Sequence, residues 1–369
     1  MKIVYLYSSL AITGGIERVL VDKMNYLISH YGYEVYMITS DQGQHLVPYQ
    51  MDERIHLLDL QIRFHSQYQY HGWQRVLERK RLALLYHHRL KEKLEEISPD
   101  IIVCTTSQNV HGLLQIKGKI PAVVECHVNF VHPDSWLQHA RTLFNNYWIG
   151  KADVLVTLTQ ADAKKWQHVN RHVHVIPNIV HLNDTNRFSN CVNKRAIFVG
   201  RLVEQKGITD LIKVWRIVNQ RHPDWQLDVY GNGQMESLSE IKLFIHPPTE
   251  DIMKEYINSS MLLMTSVFEP FGLVLPEAMS CGLPVVAFDC PYGPADIIKH
   301  EYNGVLVPNR DINLYADYVC ALMESLGLRH DMGAEGVKTA QQYQADNIMP
   351  QWKRLFSDLT SKEPFLGKR

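Results

Sequence analysis

Two acids, Glu269 and Glu277, bracket the nearly apolar stretch "EPFGLVLPE". A strand-like run, "MLLMTS", comes before it, and "LVLPEAMSCG" reads as a helix closed by Gly282. Pro276 is tolerated in a helix only within its first turn, so the helix starts near Leu273. The free N–H groups of Phe271, Gly272 and Leu273 then point out of the strand's carboxyl end. Glu269 lies before the helix and Glu277 one turn inside it. Each acid can hold hydroxyls of a different part of one ligand, while the helix N-terminus between them favours an anion. A ligand with hydroxyls at both ends and phosphate in the middle fits this chemistry. In a plainer account Glu277 only complements the helix dipole and Glu269 is a loop acid.

Other residues offer phosphate chemistry. In "FVGRLVEQKG" a strand ends at Gly200, and Arg201 and Lys206 follow at its mouth. Arg grips oxygens with a planar fork and Lys adds a point charge, which suits a diphosphate; a solvated surface pair is the alternative. In "SSLAITGGIERVL", Gly14 and Gly15 stand where strand one gives way to a helix, so backbone can approach a ligand there. The spacing is not G-x-G-x-x-G, so the dinucleotide fingerprint is absent, and glycines in such a loop are often only structural. In "VVECHVNF", His127 ends an apolar strand, with Glu125 two residues earlier on the same strand face. A lone His there is commonly a packed polar residue.

No metal is expected. The other histidines form no metal-type cluster, and neither HExxH nor Asp-x-Asp occurs. Phosphates must then be neutralised by protein cations and a helix end.

These residues need a scaffold. Short apolar runs ("KIVYLY", "YEVYMIT", "DIIVCTT", "PAVVECHV", "DVLVTLT") alternate with amphipathic stretches such as Ile16–His30 and Trp136–Lys151, the mark of βαβ units and parallel sheets. After "VHVIPN", the polar "HLNDTNRFSNCVNKR" has no periodicity and reads as a linker. The pattern then restarts with "AIFVGRL", a helix to about Asn219, "WQLDVYG", "KLFIHP", "MLLMTS", "LPVVAFD" and "NGVLVP". Two α/β domains follow, 1–180 and 190–346, with an amphipathic tail helix in 347–369 expected to pack back on the first. Between Gly233 and Ile241 only a very short helix fits, although a parallel crossover usually needs a dozen or more residues.

Composition narrows the class. A chain of 369 residues, 46% hydrophobic and 21% charged, is longer than one ordinary core requires. Net charge is −1, so no global field recruits nucleic acid. No stretch approaches the roughly 18 unbroken apolar residues of a membrane span, and the start is too quickly polar for a signal peptide. Six scattered cysteines without CxxC read as reduced core thiols of a cytoplasmic protein. Residues 63–96 interleave Arg, Lys and His with Trp73, Tyr86 and several Leu. That segment is either a peripheral contact with anionic lipid at the inner face of the cell membrane or a solvated helix packed on the first domain.

Taken together, "EPFGLVLPEAMSCGLPVVAFD" resembles the E-x7-E signature of retaining glycosyltransferases of family 4, which have the GT-B fold: two Rossmann-like domains with parallel sheets facing across a cleft. The "GRL...KG" block, the "GG" loop and "VIPN" fall in that family's order, and "FDCPYGPADII" resembles bacterial enzymes that extend surface or lipid-linked glycans with UDP-sugars. Asp296 stands where many relatives carry Glu, and the segment after "GNG" is short.

The resemblance implies that Arg201 and Lys206 bind the donor diphosphate, with Gly14 and Gly15 backbone approaching the same phosphates and Leu273 at the helix end. It implies that Glu277 holds ribose hydroxyls. Glu269, with the Phe271 and Gly272 amides, would hold the transferred sugar. His127 would line the acceptor side, and Asn178 would support the hinge. The implied activity is metal-independent, cofactor-free transfer of a hexose or N-acetylhexosamine, from a UDP-sugar by preference, to a cell-envelope glycan or lipid-linked oligosaccharide. A phosphorylase, a sugar-nucleotide epimerase and a non-catalytic sugar-nucleotide-binding partner are the alternatives.

Overall fold

The computed structural model describes residues 1–105, 110–127, 136–308 and 310–361. The chain divides into two compact units, one of Met1–Ile179 with Ile348–Arg369, the other of Val180–Asn347.

In the first unit the Val- and Ile-rich runs form β1 (Lys2–Tyr7), β2 (Glu34–Thr39), β3 (His56–Asp59), β4 (Ile101–Cys104), β5 (Ala122–Glu125), β6 (Val154–Thr157) and β7 (Val173–Val175). They make one sheet in the order β3-β2-β1-β4-β5-β6-β7, with every pairing parallel. Its helices are α1 (Gly15–Tyr31), α2 (Gly72–Ile97), α3 (Val110–Ile116), α4 (Trp136–Ile149) and α5 (Gln160–Trp166). Leu82, Tyr86, Leu90, Leu94 and Ile97 of α2 join β4 and β5 residues in one core. Thus the carboxyl-terminal part of the basic 63–96 segment packs on the first unit.

The second unit contains β8 (Arg195–Val199), β9 (Gln226–Tyr230), β10 (Leu243–His246), β11 (Met261–Met264), β12 (Val285–Phe288) and β13 (Val305–Val307), in the order β10-β9-β8-β11-β12-β13 and again all parallel. Around it lie α6 (Ile208–Arg221), α7 (Ile252–Ile257), α8 (Val274–Ser280), α9 (Pro294–Ile297), α10 (Ile312–Glu324) and α11 (Leu326–Gln341). The crossover from β9 to β10 is trimmed to a 3-10 turn, Ser239–Ile241. Met235, Leu238 and Ile241 fill the place of a helix, and the Trp215 indole donates to the Ile241 carbonyl at 2.7 Å. The last helix, α12 (Ala345–Thr360), belongs from Ile348 onward to the first unit. Of the expected 347–369 tail, the residues after 361 lie outside the described part of the chain.

One expectation changes. The polar stretch read as a linker is stitched onto the second unit. The Asn183 amide donates to Ser280 Oγ at 3.0 Å, the Ser189 amide to the Cys281 carbonyl at 2.8 Å, and Arg329 Nε to the Cys191 carbonyl at 3.0 Å. Its Asn, Ser and Thr residues satisfy nearby amides, as Asn183 Oδ1 does for Thr185 and Ser189 Oγ for Cys191. Lack of periodicity here reflects turn chemistry.

Candidate active site

Each sheet reverses its strand order once, between β1 and β4 in the first unit and between β8 and β11 in the second. In open parallel sheets, ligands bind outside the carboxyl ends of the strands at that reversal. Arg201, Lys206, Glu269 and the start of α8 follow β8 and β11, and Gly14 and Gly15 follow β1; His127 follows β5, one strand beyond the reversal, and Asn178 follows the edge strand β7.

In the second unit the segment after β8 brings Lys206, and the loop after β11 brings Glu269. Lys206 Nζ lies 2.5 Å from Glu269 Oε2, and Ser266 Oγ donates to the same oxygen at 3.0 Å. Gly207 makes the approach possible. Its φ is +67°, and a Cβ there would lie 1.8 Å from the Thr265 carbonyl oxygen. Glu269 is also pinned through its backbone. Its amide donates to the Pro291 carbonyl at 2.7 Å, and its carbonyl accepts from Tyr292 at 3.1 Å and Gly293 at 2.8 Å. The "CPYG" of the family-like "FDCPYGPADII" therefore holds the loop. Gly293 permits this, because a Cβ there would meet the Phe271 carbonyl oxygen at 2.1 Å.

Helix α8 begins where Pro276 demands, with Leu273 as its N-cap. The amides of Phe271, Gly272 and Leu273 donate to no acceptor among the described residues. Glu277, one turn in, is buried and accepts from the Tyr256 hydroxyl at 3.4 Å. The two acids thus stand on the same strand–loop–helix but lean on different partners. Arg201 is not drawn to them. It is exposed, and its guanidinium meets Gln205 Oε1 at 3.4 Å. Burial, then the Glu269 carboxylate, pushes the Cys290 thiol up to about 12, so it stays protonated beside the site.

In the first unit Gly14 is the extended N-cap of α1, and its carbonyl accepts from the Tyr49 hydroxyl at 2.8 Å. Gly15 opens the helix. Beside them Glu17, which the sequence reading passed over, is buried and accepts from the Tyr7 hydroxyl at 2.8 Å. A Cβ on Gly14 would fall 2.3 Å from Glu17 Oε2. His127 is buried past the end of β5, with Nε2 3.3 Å from Glu125 Oε1. Asn178 is buried near the end of the first unit, and its Oδ1 has no hydrogen-bond partner among the described residues. Among the described residues no group of three or more His, Cys, Asp or Glu is placed to hold a metal ion.

Residues 13–184 match the model for "Glycosyltransferase Family 4", and residues 186–339 match that for "Glycosyl transferases group 1". The chain belongs to the GT-B glycosyltransferases. This glycosyltransferase is 27% identical to an uncharacterised glycosyltransferase of Haemophilus influenzae, over 95% of this chain and 99% of that protein. It is 25% identical to the amylovoran biosynthesis glycosyltransferase AmsD of Erwinia amylovora, over 96% and 99%. Among solved structures, S. aureus TarM in complex with fondaparinux, alpha-GlcNAc-glycerol and UDP shares the fold. Its TM-score is 0.77 at 16% identity, covering 96% of this chain and 99% of that one. The two α/β domains expected from sequence are thus the architecture of this glycosyltransferase.

Proposed function

We propose that this glycosyltransferase is a retaining, metal-independent enzyme that moves a hexose or N-acetylhexosamine from a UDP-sugar to a cell-envelope glycan or lipid-linked saccharide. The observation that carries this is the Lys206–Glu269–Ser266 cluster at the β8/β11 reversal, beside the free amides of 271–273. It joins a cation for phosphate from the segment after β8 with a buried carboxylate for sugar hydroxyls and amide donors from the loop after β11. Support for the donor and acceptor classes comes from TarM, crystallised with UDP and a GlcNAc-glycerol, and from an AmsD relative named for amylovoran biosynthesis.

The mechanism follows from where charge develops. As the glycosidic bond breaks, negative charge grows on the departing diphosphate, and donors fixed there act mainly in the transition state. Lys206 is the built donor, and exposed Arg201 is free to turn toward the same phosphates. Glu269 and the 271–273 amides take the sugar's hydroxyls, and Glu277 the ribose. The Gly14 and Gly15 backbone serves the donor's phosphates, and His127 lines the transferred sugar. The departing diphosphate itself accepts the acceptor's proton, with attack from the face of departure, so a glycosidase-type carboxylate pair is not required.

The acceptor class draws support from α2. Among the described residues no helix is long and apolar enough to cross a membrane. Yet Trp73 and Leu84 of α2 are each 70% exposed, with Val76 and Leu77 exposed between them. Lys80 sits within this stripe, Arg79 and Arg81 lie toward its two sides, and Glu78 is taken up by Arg81 at 2.7 Å. An apolar stripe with a basic rim suits an anionic lipid surface, where a lipid-linked acceptor would be met.

The test is turnover of UDP-hexoses and UDP-N-acetylhexosamines by Lys206→Ala and Glu269→Ala. Each should lose about a hundredfold or more in rate, on the scale of one oxyanion donor, with cooperative unfolding retained and with EDTA harmless to the wild type. Full activity of both variants would refute the site. A requirement for inorganic phosphate, or isomerisation of the donor without acceptor, would instead point to a phosphorylase or an epimerase.

A further inference from the structure

The first unit holds a buried charge cluster that the donor site does not use. Lys23 of α1 and Glu125 of β5 form an ion pair at 2.7 Å, with each side chain only 1% exposed. Trp352 of α12 closes over the ammonium, 3.6 Å from Nζ to a ring centroid, and the Tyr5 ring lies at 5.7 Å. The same Glu125 oxygen sits 3.3 Å from His127 Nε2. That contact is not aligned as a hydrogen bond. Both His127 ring nitrogens, Glu125 Oε2 and the Tyr5 hydroxyl are buried without a hydrogen-bond partner among the described residues.

Such a cluster is a poor way to gain stability. Two desolvated charges seldom outperform apolar side chains of the same size. Its place at the end of β5 suggests another task. Burial pushes the Glu125 carboxyl up, but Lys23 and then His127 outweigh it and hold the group below the ordinary carboxylate range. A charged acceptor is thus kept ready beneath the imidazole.

We propose that Glu125 is a positioning residue for His127, with Lys23 and Trp352 as the groups that keep its carboxylate ionised and in place. The ionised oxygen selects the tautomer with the proton on Nε2. Nδ1, covered in the structure, is left as an acceptor, and the bound sugar must uncover it for a hydroxyl to reach it. Alignment tightens when that hydroxyl arrives, as resting-state catalytic contacts are often long. The proposal rests on His127 lining the transferred sugar, and it adds the machinery behind that ring.

Two measurements on the full chain test it. Nitrogen NMR of the histidine rings at neutral pH should show His127 with its proton on Nε2; a proton on Nδ1 would overturn the proposal without any variant. In turnover of UDP-sugar, Glu125→Gln should lower kcat roughly tenfold to a hundredfold while leaving the donor's KM and the UDP-induced melting shift unchanged. The same substitution made in a His127→Ala background should cost nothing further. An unchanged kcat in Glu125→Gln, or its full cost persisting without the His127 ring, would overturn the positioning role. Full turnover by His127→Ala alone would instead remove the premise about His127, and so marks a separate failure.

Discussion

Each sheet carries one Lys–Glu pair at the carboxyl end of its strands, and the two differ in how far water reaches them. The Lys23 and Glu125 side chains are each 1% exposed, whereas Lys206 and Glu269 are 17% and 10% exposed. The sealed pair is shut off from water, so its charges orient what touches them. The open pair can release Lys206 to an arriving phosphate and Glu269 to a sugar hydroxyl. Until then each charge in it is compensated by the other, which avoids a lone carboxylate in a partly dry site.

The largest expected contrast is in stability. Lys23→Met strands a buried carboxylate and should lower the unfolding free energy by about 3–5 kcal/mol, whereas Lys206→Met, which leaves Glu269 its Ser266 bond and some water, should lower it by about 1–2 kcal/mol. Denaturant melts of both variants check this. Equal losses would erase the distinction between sealed and open pairs.

Acid provides a second, smaller contrast. The Glu125 carboxyl is held below its ordinary value of 4.5 in the folded chain. Its contribution is therefore present above that value and is lost as pH falls from it toward the folded pKa. A Lys23→Met/Glu125→Leu variant, with neither charge left, should show a shallower loss of melting temperature below about pH 5. An identical slope in the two proteins would show that this pair is not what acid attacks.

The smallest effect concerns the α2 stripe. Trp73→Ala with Leu77→Ser should reduce co-sedimentation with anionic vesicles several-fold and leave turnover of soluble acceptors unchanged, because each exposed apolar group contributes only a few kcal/mol or less. Undiminished vesicle binding would remove the lipid-facing role of that helix.

Much of this was legible in the sequence because parallel sheets advertise themselves. β1 (KIVYLY), β5 (AVVE), β11 (MLLM) and β12 (VVAF) are short, almost wholly apolar runs, and βαβ alternation follows from them. Pro276 fixed the start of α8 because its ring excludes any later position. The strand β3 and the pairing of Lys23 with Glu125 were harder to see. β3 is short and half-exposed, so its run is weak. Lys23 falls on the apolar stripe of α1 among Leu20, Met24 and Leu27, and Glu125 ends a run buried on both faces. Two charges in apolar registers point to one another, but only a fold can say which helix crosses which strand. Trp352, at the far end of the chain, had no local signal at all. Arg201 was paired with Lys206 by spacing alone. In the fold Lys206, at the end of the Glu204–Lys206 turn, reaches Glu269, while Arg201, before that turn, stays exposed.

The most direct test is a crystal of the wild-type chain soaked with UDP. The account predicts the diphosphate within hydrogen-bonding distance of Lys206 Nζ, Arg201 swung in from solvent to join it, and the ribose hydroxyls on Glu277. Nucleotide bound anywhere else, or Lys206 still clasping Glu269 with the diphosphate out of reach, would contradict it.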